Sequence, residues 1–393
     1  MKSLLLIYEN AAAGPRDDLD GRTPLQVARC PHATRLAGEG VGGMLAKPPS
    51  GEGLRAEALL ASLLGVPRAD AWRLARGALE AEAVGADWAT FNYAYRADLV
   101  TVDQGRIRDA HLAHLSRMET ERLVASLQAE LDTLNVRVMP VKAGHAVVLM
   151  QHEDHRLATG FAPWLVAGDD EAPLPEGKQA RQAREVMEQA ARVLSRQTIN
   201  DVRVDLGENP ATHLWLWGGG PRADILEKFG GRPLRGLMLT QSAMARGLAL
   251  RLGMAVQELS DTWTSGEATP AVTPEQVGAL FQDYDMVVVY VEASPVLIEG
   301  TGAERVHLLE RLDLLVTGPL FEAMKKIKHR RMVVAALPAA DDGTYSRGEG
   351  QPVMVWGSHV NPDEAKRWDE VESEQGELEQ VEAMEVFGRL VGG

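Results

Sequence analysis

Residues 286–291, Met-Val-Val-Val-Tyr-Val, have no polar face. A strand wetted on one side alternates apolar with polar residues; a strand without alternation needs cover on both faces. The rest of the chain supplies that cover. Short apolar runs at Leu4 to Tyr8, Gly236 to Thr240 and Met332 to Leu337 alternate with amphipathic stretches at Pro24 to Gly38, Arg55 to Leu64, Ser242 to Leu252 and Val306 to Lys326. This alternation predicts an α/β core with a largely parallel sheet between helices.

The middle of the chain has a different pattern. Trp88 to Tyr95 reads as a strand with alternating aromatics. Leu99 to Asp103 and Gly105 to Arg108 flank the turn signal Asp103-Gln104-Gly105. A helix is expected at Glu119 to Leu134, strands near Val136 to Val141 and Ala146 to Met150, a loop at Gly168 to Gly177 and a helix at Gln179 to Arg196. A chain of 393 residues ordinarily holds two domains. The expected division is a core of 1–80 with 231–393, and an α+β cap inserted at 81–230. Gly218-Gly219-Gly220 lacks the Lys-Ser/Thr of a phosphate loop and is expected to be a turn near the boundary. The acidic segment from Asp363 is expected to be mostly helical, ending in an amphipathic stretch at Val381 to Leu390.

Lys and Arg total 41 against 56 Asp and Glu, a net charge of -15. That charge repels phosphate backbones, so nucleic-acid and membrane partners are not expected. Cys30 is the single cysteine, so no disulfide forms within the chain and a cytoplasmic location fits. The start, Met-Lys-Ser-Leu-Leu-Leu-Ile-Tyr, is too short in its apolar run for a signal peptide, and no run nears the ~20 residues of a membrane helix.

Several ordered segments resemble the archaeal-type cofactor-independent (2,3-bisphosphoglycerate-independent) phosphoglycerate mutases of the alkaline phosphatase superfamily. Leu19 to Leu25 is similar to that family's Leu-Gly-Gly-Lys-Thr-Pro-Leu, and Cys30-Pro31-His32 to its Thr-Pro-Asn. Ala37 to Gly65 aligns without a gap. Tyr95 to Thr101, Leu214 to Gly218, Tyr290 to Ala293 and Val316 to Leu320 continue the likeness. The resemblance implies an alkaline phosphatase-like core with an inserted α+β cap. It also implies two divalent metals, manganese or zinc, that activate a serine to carry the phosphoryl group.

Carried over position by position, the family's reactive residues are replaced. Its nucleophilic serine falls at Ala56 and the next aspartate at Glu57. Its aspartate after the first strand falls at Glu9. A later aspartate and histidine fall at Pro295 and Glu299, an Asp-His pair at Ala339 and Ala340, and a last histidine near Gly348. Without a hydroxyl at position 56 no phospho-enzyme forms. No cofactor is therefore expected, with manganese or zinc implied only if the family activity is retained.

The resemblance also places Arg96, Asp98, Asp109 and His114 where a small anionic ligand would be contacted, since a guanidinium suits a carboxylate or phosphate fork. Set against this is a structural histidine and a surface arginine. Ser50 reads as a turn serine more than a relocated nucleophile. Asp341 and Asp342 read as a turn with Gly343, and His152, Asp154 and His155 as a solvated loop. Three functions fit. The first is a mutase-like protein that has lost phosphotransfer and binds a ligand or protein partner. The second is an active phosphotransferase with a relocated metal site. The third is a scaffold or assembly subunit, with a homo-oligomer open in each case.

Overall fold

The computed structural model describes residues 1–47, 55–112, 114–153, 156–157, 160–167, 174–175, 180–264, 268–338 and 350–392. Its strands, in chain order, are β1 (Lys2–Glu9), β2 (Val41–Leu45), β3 (Tyr93–Asp103), β4 (Arg106–Asp109), β5 (Arg137–Lys142), β6 (His145–Met150), β7 (His213–Pro221), β8 (Gly236–Thr240), β9 (Ala255–Gln257), β10 (Met286–Val291), β11 (Arg330–Leu337), β12 (Gln351–Gly357) and β13 (Gln380–Val381). They fall in two compact units, residues 1–72 with 225–393, and residues 73–224.

The first unit is built on one sheet ordered β13-β2-β12-β11-β1-β10-β8-β9. The run β11-β1-β10-β8-β9 is parallel throughout. Leu4 to Ile7 and Met286 to Tyr290 are fully buried, because helices cover both faces. In such a sheet the strands' carboxyl ends open a crevice, the usual place for a site. Here those ends are Glu9, Thr240, Val291 and Leu337.

The expected helix Pro24 to Gly38 is two, Pro24–Val27 and Pro31–Gly38. Pro31 has no N–H to give the first and forces extended backbone before it. The expected helix from Val306 begins at Gly302, where Thr301 and Glu304 form a reciprocal capping box. Its middle, Asp313–Thr317, widens into a π turn. There the carboxylate of Asp313 accepts the His32 and Ala33 amides and caps the helix Pro31–Gly38. The segment after Asp363 is mostly not helical: only Glu370–Ser373 and Ala383–Val391 are.

The second unit is an antiparallel sheet ordered β7-β3-β6-β5, with β4 folded back on the end of β3. Gln104 and Gly105 both take positive φ, the conformation of a tight two-residue hairpin turn. The strand expected from Trp88 starts at Tyr93 instead. The preceding Trp88 and Phe91 are loop residues that pack against the sheet. Gly218 to Gly220 lie inside β7 rather than in a turn. They are glycines because neighbours fill the space: a Cβ on Gly219 would lie 2.4 Å from the Tyr95 ring, and one on Gly220 would lie 2.4 Å from Ala75 Cβ.

The helix Arg76–Ala83 lies directly on β3. A Cβ on Gly77 would stand 2.5 Å from the Arg96 amide nitrogen and 2.6 Å from the Tyr95 carbonyl carbon. Backbone cannot yield as a side chain does, so Gly77→Ala is expected to cost about 3 kcal/mol, the upper end for an overpacked core. A lowered midpoint in urea unfolding, with an unchanged slope, checks this. Among the described residues no helix is long and apolar enough to cross a membrane.

Candidate functional site

At the carboxyl ends of the first unit's parallel strands the polar groups bind one another. Glu9 is 1% exposed, and its Oε2 accepts the Ala293 amide at 3.0 Å. Asn10 reaches across to the Leu297 carbonyl at 2.7 Å, fastening the end of β1 to the short helix Pro295–Glu299. Thr240 Oγ1 donates to the Tyr290 carbonyl and accepts the Ser242 amide, each at 2.9 Å. Ser242 Oγ donates to the buried Glu292 carboxylate at 3.4 Å.

Ala56 opens the helix Ala56–Leu63, in which every side chain is buried. Its methyl group is 1% exposed and offers no nucleophile. Beside it Glu57 pairs with Arg55 at 3.5 Å.

Two-metal chemistry asks carboxylates and imidazoles to converge here. The described residues do not fit that demand. One Glu9 oxygen is engaged by backbone, Pro295 has no side-chain donor atom, and Pro295 and Glu299 are both exposed. Among the described residues no group of three or more His, Cys, Asp or Glu stands where it could hold a metal ion. Ser50, Ala339, Ala340, Asp341, Asp342 and Gly348 lie outside the described residues.

The second unit holds a buried charge cluster on one face of its sheet. Arg96 and Asp98 share that face two residues apart on β3, and His145 sits opposite Asp98 on β6. The helix Arg76–Ala83 lowers Arg76 and Glu80 onto them. Glu80 is fully buried; its Oε1 accepts from Arg96 Nη1 at 3.0 Å and from Arg76 Nε at 3.2 Å, and its Oε2 meets His145 Nε2 at 2.8 Å. Arg96 forks onto Asp98, Nη2 to Oδ1 and Nε to Oδ2, both at 3.0 Å. Trp217 Nε1 donates to Asp98 Oδ2 at 2.6 Å. The Arg96 guanidinium also lies over the rings of Trp217 and Trp164, 5.1 and 5.8 Å from their centroids.

The electrostatics follow from burial and pairing. Burial pushes Glu80 and Asp98 towards neutrality, but the adjacent guanidinium charge, Arg96 foremost, holds both below the usual carboxylate range. Burial, then Arg96, holds His145 below the usual histidine value despite Glu80. With His145 neutral, two arginines balance two carboxylates. Arg96 spends its fork inside the protein, so an incoming anion would have to displace Asp98 or Glu80.

Asp109 is taken up locally. Its Oδ1 accepts the amides of His111 and Leu112, and its Oδ2 accepts Asn209 Nδ2 at 2.9 Å. His114 is exposed. The structure therefore groups Arg96 with Asp98 but uses Asp109 in a turn. Of the histidine cluster expected after β6, His152 packs on the Tyr93 ring at 4.8 Å; Asp154 and His155 lie outside the described residues. Sequence reasoning did not find Glu80, Arg76 or His145. The one available signal was Gly77 inside a helix between Arg76 and Glu80, which marks a close backbone approach.

Comparison with known proteins bears on both units. A family model described as 2,3-bisphosphoglycerate-independent phosphoglycerate mutase matches residues 37–200. A curated relative, the 2,3-bisphosphoglycerate-independent phosphoglycerate mutase 2 of Methanothermobacter thermautotrophicus, is 29% identical over 390 residues, covering 98% of this chain and 95% of its own. The 2,3-bisphosphoglycerate-independent phosphoglycerate mutase of Methanosarcina barkeri is 26% identical, covering 100% and 99%. Among solved structures, the PH0037 protein from Pyrococcus horikoshii superposes with a TM-score of 0.67 at 20% identity, covering 99% of this chain and 97% of that one. The cofactor-independent phosphoglycerate mutase from Thermoplasma acidophilum gives 0.55 at 23%, covering both chains in full.

Proposed function

We propose, from the premise that this chain belongs to the 2,3-bisphosphoglycerate-independent phosphoglycerate mutase family, that it is a member which no longer transfers phosphate and acts by binding. The observation that carries this reading is Ala56, a buried methyl group at the start of the helix where the resemblance puts the serine. A phosphoryl acceptor must be a hydroxyl or comparable nucleophile, and alanine has none. Support comes from Glu9, whose carboxylate is hydrogen-bonded to the end of a neighbouring strand's connection.

The binding function does not run through Arg96 as a free fork, because Glu80 and Asp98 already satisfy it. That favours a framework role for this cluster.

Full-length protein, stripped with chelator and resupplied with manganese or zinc, is expected to show no interconversion of 3- and 2-phosphoglycerate above a blank. Metal analysis is expected to find no stoichiometric manganese or zinc. Turnover together with stoichiometric metal would overturn the proposal. Ala56→Ser is expected to remain inactive, because a hydroxyl alone does not restore the aspartate and histidine that the resemblance puts at Pro295 and Glu299.

A further inference from the structure

The second unit contains a cavity of about 380 Å³ that belongs to neither site described above. It forms where the helix Arg76–Ala83 ends and no longer covers the sheet. The apolar group on that face has four fully buried members, Ala81, Ala94, Val147 and Leu149. Six more apolar side chains pack on them but stay partly exposed, Phe91 and Met139 included. This part of the core is unfinished, and the cavity lies over it.

The floor is apolar and the rim is charged. Leu149, Met139 and Phe91 line the floor, with Val136 beside them. Arg137 lies opposite Leu149 in the β5–β6 register, at the cavity's edge. It is exposed and, among the described residues, makes no ion pair. Asp132 lines the cavity from the turn before β5, and its Oδ1 accepts a hydrogen bond from Gln128 Nε2. The two opposite charges do not meet each other. Asp87, also on the rim, is occupied by the Ala89 and Thr90 amides and the Thr90 hydroxyl.

We propose that this cavity binds a free α-amino acid with an apolar side chain, its carboxylate on Arg137, its ammonium on Asp132 and its side chain on Phe91, Met139 and Leu149. A zwitterion satisfies both rim charges at once, whereas a simple anion or cation would leave one of them facing a like charge. The volume is at the small end of ligand pockets, which suits a molecule of this size better than a nucleotide. The site stands apart from the loss of phosphotransfer and does not depend on it.

Calorimetric titration of the full chain with L-phenylalanine and L-methionine tests this, with phenethylamine and 3-phenylpropionate as single-charge controls. At least one amino acid is expected to bind at one per chain, and each control about tenfold more weakly or worse, one charged hydrogen bond being worth roughly that factor. Arg137→Gln is expected to weaken the amino acid about tenfold and to leave phenethylamine no weaker, since its ammonium loses a like-charged neighbour. Its exposed position makes an unchanged melting temperature the expected sign of intact folding. No binding of either amino acid at millimolar concentration, equal binding of the controls, or an Arg137→Gln variant that binds as the parent does would each overturn the proposal.

Discussion

Glu80→Gln is expected to destabilise the second unit by about 3–5 kcal/mol, the cost of removing one partner from a buried ionic network. Glu80 receives Arg76, Arg96 and His145 at a position with no exposure to solvent. Glutamine matches its shape but not its charge, so it leaves two guanidinium groups against Asp98 alone. A typical domain holds only about 5–15 kcal/mol in total, so the loss should be visible as reduced amide protection in β3 and β6. Replacing Glu80 and Arg96 together with Leu and Met removes one charge of each sign, so it is expected to cost less than the sum of the two single substitutions. A double variant as unstable as the sum of the singles would sink the account.

The same cluster sets an acid limit. Glu80 and Asp98 have folded pKa values below their ordinary ones. Their stabilisation is present above the ordinary carboxylate range and is lost as pH falls through it. Burial holds the folded pKa of His145 below its ordinary value, so as pH falls the unfolded chain takes up this proton, near pH 6.5, before the folded chain does. Both effects act in one direction: stability should decline from about pH 6.5 downward and fall more steeply below about pH 4.5. Unfolding midpoints of the parent chain and a His145→Gln variant, measured from pH 4 to 8, separate the first decline from the second.

What the sequence reveals and hides in this chain has a common cause. Met286 to Val291 announces its own environment, because six apolar residues in a row have no other stable place. The alanine at position 56 is plain in the sequence, but that it stands where the family has a serine rests on the resemblance alone. Glu80 announces nothing of its environment. In Arg76–Ala83 it reads as an ordinary helical glutamate with an arginine four residues before it. Its burial depends on a long-range fact, that Gly77 lets the helix backbone touch β3. Trp88 and Phe91 mislead for the converse reason: alternating aromatics mimic a strand although the chain uses them as a loop lid over a sheet face. Arg96 and Asp98 are visible as a pair, yet whether their charges are free or spent is decided by residues on other elements.

Glu370 should give the opposite pH response in the first unit. It is 2% exposed at the start of the helix Glu370–Ser373. Its Oε1 accepts the Ala13 amide at 3.0 Å and its Oε2 accepts the Thr23 hydroxyl at 2.6 Å. Among the described residues no cation pairs with it, and burial raises its pKa from 4.5 to about 7, against the pull of those two hydrogen bonds. A carboxyl raised in the fold is harmless below pH 4.5, where both states are protonated. Between 4.5 and 7 the unfolded chain ionises and the folded chain does not, so stability is lost as pH rises. Above 7 the penalty is complete, at about 3 kcal/mol by the usual conversion. Glutamine removes the ionisation but changes the hydrogen bond with Thr23, a difference of about 1 kcal/mol. Glu370→Gln is therefore expected to be slightly less stable than the parent at pH 5 and about 2 kcal/mol more stable at pH 8. The two stability–pH curves should cross between those values. Parallel curves in urea unfolding would mean that Glu370 keeps an ordinary pKa, and that the segment around Ala13 and Thr23 admits water to its carboxylate.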